Sequence, residues 1–256
     1  MHLTINGISK YFGIVLTTLA LGGCGGASSS GSSDGKAGSM SRFSLTGDFL
    51  YAISGPKLRV FNLANDPAQP TVYANLTIGW NIETLYSAKG HLFVGAQNGV
   101  YIFDNTTPGN PQQVAKFLHV MACDPVVVSG DYAYVTLRSG GARCWGGTLN
   151  QLDVIDLKDM SNPTLVKSYA MENPKGLGVD DGSLYVCDGR AGMKTYDLSD
   201  PASPAYSHTD TALDCYDLIP DSSFLVVSDA NGIYQVDTKV VDLTSNKVSH
   251  IQLETP

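Results

Sequence analysis

"SGDYAYVTLRSGGARCWGGTLNQLDVIDL", residues 129–157, holds two alternating strands either side of a glycine-rich stretch. The first, "DYAYVTL", leaves a Ser-Gly-Asp turn, and the second, "LDVIDL", ends close to an aspartate. Alternation of period two is the signature of a strand packed on one face. The same pair recurs along the chain. Copies of the first part are "TGDFLYAIS", "AKGHLFVGA", "DDGSLYVCD" and "PDSSFLVVS"; copies of the second are "LRVFNL", "VYIFDN", "MKTYDL" and "IYQVDT".

Spacing decides whether these are repeats. The acid or amide near the end of the second strand falls at Asn62, Asp104, Asp156, Asp197 and Asp237, at intervals of 42, 52, 41 and 40. The marker inside the first strand, at Tyr51, Phe93, Tyr134, Tyr185 and Val226, recurs at 42, 41, 51 and 41. The two series slip once, between Tyr134 and Asp156, so the opening stretch is one repeat carrying an inserted loop, "SGGARCWGGTLN". Proline-bearing corners follow the second strand ("NDPAQP", "TTPGNP", "MSNP", "DPASP"), where a preset turn and a missing donor suit a chain reversal. A third alternating strand comes next, and the chain then crosses to an inner strand such as "NIETLYS", "DPVVVSG", "KGLGVDD" or "YDLIPDS". Four short strands in each fixed-period unit predict an all-β fold. It is a five-bladed β-propeller of four-stranded antiparallel blades over residues 42–256. A β-sandwich also uses short strands but demands no fixed recurrence.

"LDVIDLKDMSNPTLVKSY" and "MKTYDLSDPASPAY" resemble the LVIVD-repeat proteins, bacterial surface propellers named for the strand that ends in aspartate. The resemblance covers nearly the whole domain and is nearest in the third and fourth units. The first unit has Asn62 in the aspartate place, and the fifth has Gln235 where an apolar residue is expected. The family offers no established catalytic residues to carry over.

The first residues read as a targeting segment. Lys10 precedes "YFGIVLTTLALGG", which is shorter than the ~20 apolar residues a membrane helix needs. The run closes on Leu21, Gly22, Gly23 and Cys24, which resembles the lipobox of bacterial lipoprotein precursors. That likeness implies a signal peptide over 1–23 and a diacylglyceryl group on Cys24. Gly25 in place of an aspartate implies the outer membrane of the cell envelope, facing the periplasm or the surface. The Gly/Ser-rich residues that follow cannot bury enough apolar surface to fold, so 24–41 is expected to be a flexible tether. The formal net charge of −8 argues against nucleic acid or an anionic membrane surface as partner, leaving the N-terminal lipid as the membrane contact.

Apart from Cys24, four cysteines remain, an even number that in an exported chain favours two disulfides. In a meander blade, the start of the inner strand, the end of the next and the loop after it share one end of the propeller. All four cysteines belong to that end, and Cys123–Cys144 with Cys187–Cys215 need the least backbone movement. This bridged end, expected to point away from the lipid, also collects candidate contacts: Trp145, Arg143, Arg138, Asp124, Lys175, Asp188, Arg190, Tyr216 and Asp217. Trp80, Asn81, Glu83 and Asp214 share the rim. Trp145 either anchors a partner or folds over the channel as a plug. The aspartates either serve turns and ion pairs or face one another as an acid–base pair. No cofactor is implied. The five histidines lack metal-ligand spacing from the cysteines, and "RSGGARCWGG" lacks the lysine of a phosphate loop.

Two function classes remain. One is a binding module for an envelope protein or glycan, which needs no catalyst. The other is a glycan-active hydrolase or lyase with paired carboxylates at the channel mouth. The weak catalytic signal favours the first.

Overall fold

The computed structural model describes residues 38–79, 81–119, 125–140, 149–180, 182–238 and 247–252. The signal peptide, Cys24, most of the tether, Trp80, Cys123, Asp124, Arg143, Cys144 and Trp145 lie outside the described residues. Within them, five four-stranded antiparallel sheets follow one another, each a meander in chain order. The first blade is β1 (Phe43–Thr46), β2 (Phe49–Ser54), β3 (Lys57–Asn62) and β4 (Thr71–Thr77). The second is β5 (Ile82–Ala88), β6 (His91–Ala96), β7 (Gly99–Asp104) and β8 (Gln112–Leu118). The third comprises β9 (Val126–Ser129), β10 (Tyr132–Arg138), β11 (Asn150–Asp156) and β12 (Thr164–Ala170). The fourth comprises β13 (Leu177–Asp180), β14 (Ser183–Cys187), β15 (Met193–Asp197) and β16 (Ala205–Asp210). The fifth comprises β17 (Asp217–Asp221), β18 (Phe224–Ser228), β19 (Gly232–Asp237) and β20 (Lys247–Gln252), complete although its proline pair is missing.

The pairing bears out the counted repeat. Each marker sits opposite the residue two before the strand-ending acid or amide: Tyr51 with Val60, Phe93 with Ile102, Tyr134 with Val154, Tyr185 with Thr195, Val226 with Gln235. The register between the third and fourth strands then shifts immediately after that partner in all five blades. Such a bulge bends the outer strand and adds twist, and its recurrence makes it part of the repeat. Beyond it, the strand-ending residue closes the proline corner. Asn62 accepts the Ala64 amide at 2.8 Å, Asp104 that of Thr106 at 2.8 Å, Asp156 that of Lys158 at 2.7 Å and Asp197 that of Ser199 at 2.6 Å. These bonds hold the Asp104 and Asp156 carboxyls below the usual carboxylate range. The Ser199 hydroxyl and then its amide do the same for Asp197.

Blades stack through apolar clusters. Tyr51, Leu58 and Val60 meet Leu85, Leu92 and Val94 between the first and second. Phe93 and Ile102 meet Val126, Val135 and Ile155 between the second and third. Val127, Leu152 and Val154 meet Leu177, Leu184 and Val186 between the third and fourth. Met193 meets Leu218, Leu225 and Val227 between the fourth and fifth. A blade packed on both faces gives nearly continuous burial, as in β7, whereas β2 and β18 bury alternate residues only. Among the described residues no such cluster joins the fifth blade to the first. On the inner strand of the first blade, Phe43 and Leu45 stay 61% and 45% exposed.

That last seam is spanned instead by residues 38–41, which the sequence assigns to the tether. Ser39 is wholly buried. Its hydroxyl accepts the Leu177 amide at 2.8 Å and donates to Asp217 Oδ1 at 3.1 Å. The Met40 amide donates to Asp217 Oδ2 at 3.3 Å, and the Leu85 amide donates to the Ser41 carbonyl at 2.8 Å. The lead-in therefore ties the starts of β13 and β17 to β5. Gly38 and Gly176 both lie against the Asp217 carboxylate, and a Cβ on either would overlap it. The described chain thus begins at the bridged end. The reason is topological, since β1 is an inner strand and every inner strand starts there.

Markers also lock neighbouring blades. Tyr51 donates to Asn105 Oδ1 at 2.8 Å and accepts the Gly109 amide at 2.7 Å, both from the corner of the second blade. Tyr134 donates to the Pro201 carbonyl of the fourth at 2.9 Å. Burial raises both phenols above their ordinary range. Tyr51→Phe leaves the buried Asn105 oxygen and Gly109 amide without their partner. It is expected to cost about 1–3 kcal/mol in urea unfolding, with a native far-ultraviolet spectrum. A loss under about 0.5 kcal/mol would mean that the corner does not depend on this hydroxyl.

Candidate functional site

At the bridged end the crossings into the fourth and fifth blades are built from turns and one covalent link. Cys187, ending β14, is disulfide-bonded to Cys215, just before β17, with Cα atoms 5.2 Å apart, inside the range a disulfide spans. Gly189 pairs with Cys215 as a single antiparallel bridge. The Lys175 amide donates to the Cys187 carbonyl at 2.7 Å, the Gly176 amide to the Tyr216 carbonyl at 2.9 Å, and the Tyr216 amide to the Ser228 carbonyl at 2.7 Å. Four segments separated in sequence are thus fixed at one corner. The partner pairing, Cys123–Cys144, lies outside the described residues.

The candidate residues divide into two groups. Asp188, expected at the surface, is wholly buried. Its oxygens accept the Glu172 amide at 3.0 and 3.1 Å, the Asn173 amide at 2.7 Å and the Lys194 ammonium at 2.5 Å. It pins the "DGRAG" turn to the preceding crossing, the turn and ion-pair role open to it from sequence. Asp217 is likewise committed, to the lead-in, and burial pushes its carboxyl up to about 6 against amide and hydroxyl bonds that lower it. In the second group Asp214, Tyr216 and Arg190 reach solvent. Lys175 pairs with Asp214 Oδ1 at 2.9 Å and places its ammonium 3.9 Å from the Tyr216 ring centroid. Tyr216 is 39% exposed. Arg190 is exposed on the turn, and the Gly189–Cys215 bridge sets it across from Asp214.

Other candidates stand apart from this corner. Arg138 ends β10 opposite Asn150 and is half-buried. Asn81 adopts a left-handed φ of 52° and donates to Gln97 Oε1 at 2.9 Å, a turn role in the second blade. Glu83 lies on β5. Asp124, Arg143 and Trp145, with both readings of Trp145, belong to the segments outside the described residues. Among the described residues no group of His, Cys, Asp and Glu has metal-site geometry. Sequence reasoning missed Ser39, Gly38 and Gly176, because a serine and a glycine in a Gly/Ser run, and a glycine next to a lysine ahead of an inner strand, carry no local sign of burial.

Residues 121–141, 146–171 and 175–209 match the LVIVD repeat model, which places the matches on the third and fourth units. No curated protein matches the chain. Among solved structures, the computationally designed Ika8 protein superposes with a TM-score of 0.57 at 12% identity, over 83% of this chain and 64% of its own. A functionally unknown protein from Desulfotomaculum acetoxidans gives 0.60 at 11%, over 80% and 68%. Apo AztD from Citrobacter koseri gives 0.57 at 16%, over 82% and 59%. This chain therefore spans less than two thirds of the designed protein and of AztD, and identities this low carry the fold alone. The chain is a five-bladed β-propeller whose third and fourth units match the LVIVD repeat.

Proposed function

We propose that this propeller is a binding module of the bacterial cell envelope, lipid-anchored at Cys24, that takes a protein or glycan partner on its bridged end. The observation that carries the reading is the corner between the fourth and fifth blades. Lys175, Asp214, Tyr216 and Arg190 are gathered there on backbone held by the Cys187–Cys215 bond. A preorganised aromatic such as Tyr216 loses little entropy on binding, which suits recognition. Acid–base chemistry finds less support. Asp188 and Asp217 are consumed by amides, a hydroxyl and Lys194, and Asp214 has one oxygen on Lys175.

The test is capture from envelope extract with the full chain, comparing wild type with Tyr216→Ala and, separately, Trp145→Ala. A partner recovered by wild type and reduced at least about tenfold by Tyr216→Ala is expected, as for a residue worth more than 1 kcal/mol at an interface. Equal recovery by wild type and both variants would sink the bridged end as the binding face.

A further inference from the structure

We propose that the corner between the fourth and fifth blades is a subsite for an acidic sugar unit of a glycan. Tyr216 is the stacking platform, Asp214 the hydroxyl acceptor and Arg190 the group that meets the sugar's carboxylate. The inference rests on the reading of the bridged end as the binding face and narrows it to one ligand chemistry.

Rigidity comes first. Tyr216 is exposed, yet its amide and carbonyl are both bonded and its neighbour Cys215 is in a disulfide. The Lys175 ammonium occupies one face of the ring at 3.9 Å and is itself only 12% exposed. With that face taken by the ammonium, Tyr216 as a whole still stays 39% exposed. A tyrosine so held offers a flat apolar surface with a polar tip, matched to a pyranose, whose C–H face is apolar and whose rim is hydroxylated.

Polar chemistry around the ring points the same way. Asp214 is 41% exposed, and among the described residues only its Oδ1 is engaged, by Lys175. Oδ2 is left to accept a hydroxyl. Arg190 makes no hydrogen bond or ion pair among the described residues and lies across from Asp214 through the Gly189–Cys215 bridge. Lys175 and Asp214 pair with each other, which leaves Arg190 as the unpaired cation of this corner among the described residues, in a chain of net charge −8. A planar guanidinium matches a carboxylate in two-point geometry. The ring stands among hydrogen-bonding groups rather than in the dry apolar pocket of a protein hot spot, which favours a sugar over a peptide.

The experiment applies the full chain in detergent to an array of hexuronate-, sialate- and muramate-bearing glycans beside neutral ones of matched length. The hits are followed by calorimetry. Binding of at least one acidic class is expected, at least about tenfold tighter than its neutral counterpart. Tyr216→Ala and Arg190→Ala should each weaken it about tenfold or more, and Tyr216→Trp should keep it. Native circular dichroism shows that each variant is folded. Silence of every acidic glycan, equal affinity for the neutral counterpart, or an Arg190→Ala affinity unchanged would overturn the inference. If capture from extract still depends on Tyr216 while the array is silent, the acidic-sugar inference falls and the binding face stands. If both fail, the binding face falls too.

Discussion

Replacing Cys187 and Cys215 together by alanine is expected to lower the unfolding free energy by about 3–4 kcal/mol. The bond closes a loop of 28 residues, and loop-closure entropy at that length gives a value in this range. For a domain of this size the loss corresponds to a melting temperature lower by roughly 10 °C. Both half-cystines are wholly buried among Met193, Leu213, Leu218 and Leu225, so alanine also removes packed sulfur, which adds to the cost. That burial fixes the kind of experiment. A reductant reaches the bond only when the corner opens, so the variant rather than dithiothreitol is the measurement to make, by urea unfolding under oxidising conditions. The loss should be concentrated locally, with faster amide exchange at residues 175–176 and 215–217 and unchanged exchange in β6 and β7. A loss below about 1 kcal/mol would show that the inter-blade cluster, not the covalent link, holds the fourth and fifth blades together.

The link itself was legible in the sequence because disulfide geometry follows from topology once the repeat is counted. Cys187 ends a second strand and Cys215 precedes an inner strand, and both positions fall at one end of adjacent blades. The strand-ending acids were legible for the same reason: Asp104, Asp156 and Asp197 occupy one repeat position and make one bond. The recurrent bulge was not, because it depends on how two strands pair rather than on either strand alone. For the site, the sequence put Lys175, Arg190, Asp214 and Tyr216 on one rim but could not separate them from Asp188 and Asp217. All three aspartates are charged residues in turn-like surroundings. Only three-dimensional bonding shows which carboxylates the backbone has consumed. The start of the described chain at the bridged end was within reach of sequence reasoning, since an inner first strand must start where the other inner strands start.

Asp217→Asn is expected to remove a pH dependence of about 3 kcal/mol from the stability of the ring. Burial in the slot formed by Gly38, Ser39 and Gly176 raises this carboxyl from an ordinary 3.8 to about 6, and that rise corresponds to roughly 3 kcal/mol at 1.36 kcal/mol for each tenfold change in proton affinity. The folded state holds the proton more tightly than the unfolded one. The stabilisation from a protonated Asp217 is therefore fully present below pH 3.8 and is lost as pH rises through about 6. Asp104, Asp156, Asp159 and Asp197 act in the opposite sense, since their carboxyls are held low by turn bonds, so the wild-type curve alone does not isolate Asp217. The difference between wild type and Asp217→Asn does. An asparagine oxygen still accepts from Ser39 or Met40 without the cost of a buried charge, so the variant should gain on wild type between pH 4 and pH 7 by up to roughly 3 kcal/mol. Urea unfolding at pH 4, 5.5 and 7 reads this directly, and parallel curves would mean that the slot admits enough water to screen the carboxylate. Asp217→Ala separates the charge from the clasp. With no acceptor for Ser39 and Met40, amide exchange should quicken in β1 and β17, on either side of the seam that lacks an apolar cluster, and stay slow in β9 and β10. Uniform acceleration over all five blades would instead mean that the lead-in adds to overall stability without closing the ring between the fifth blade and the first.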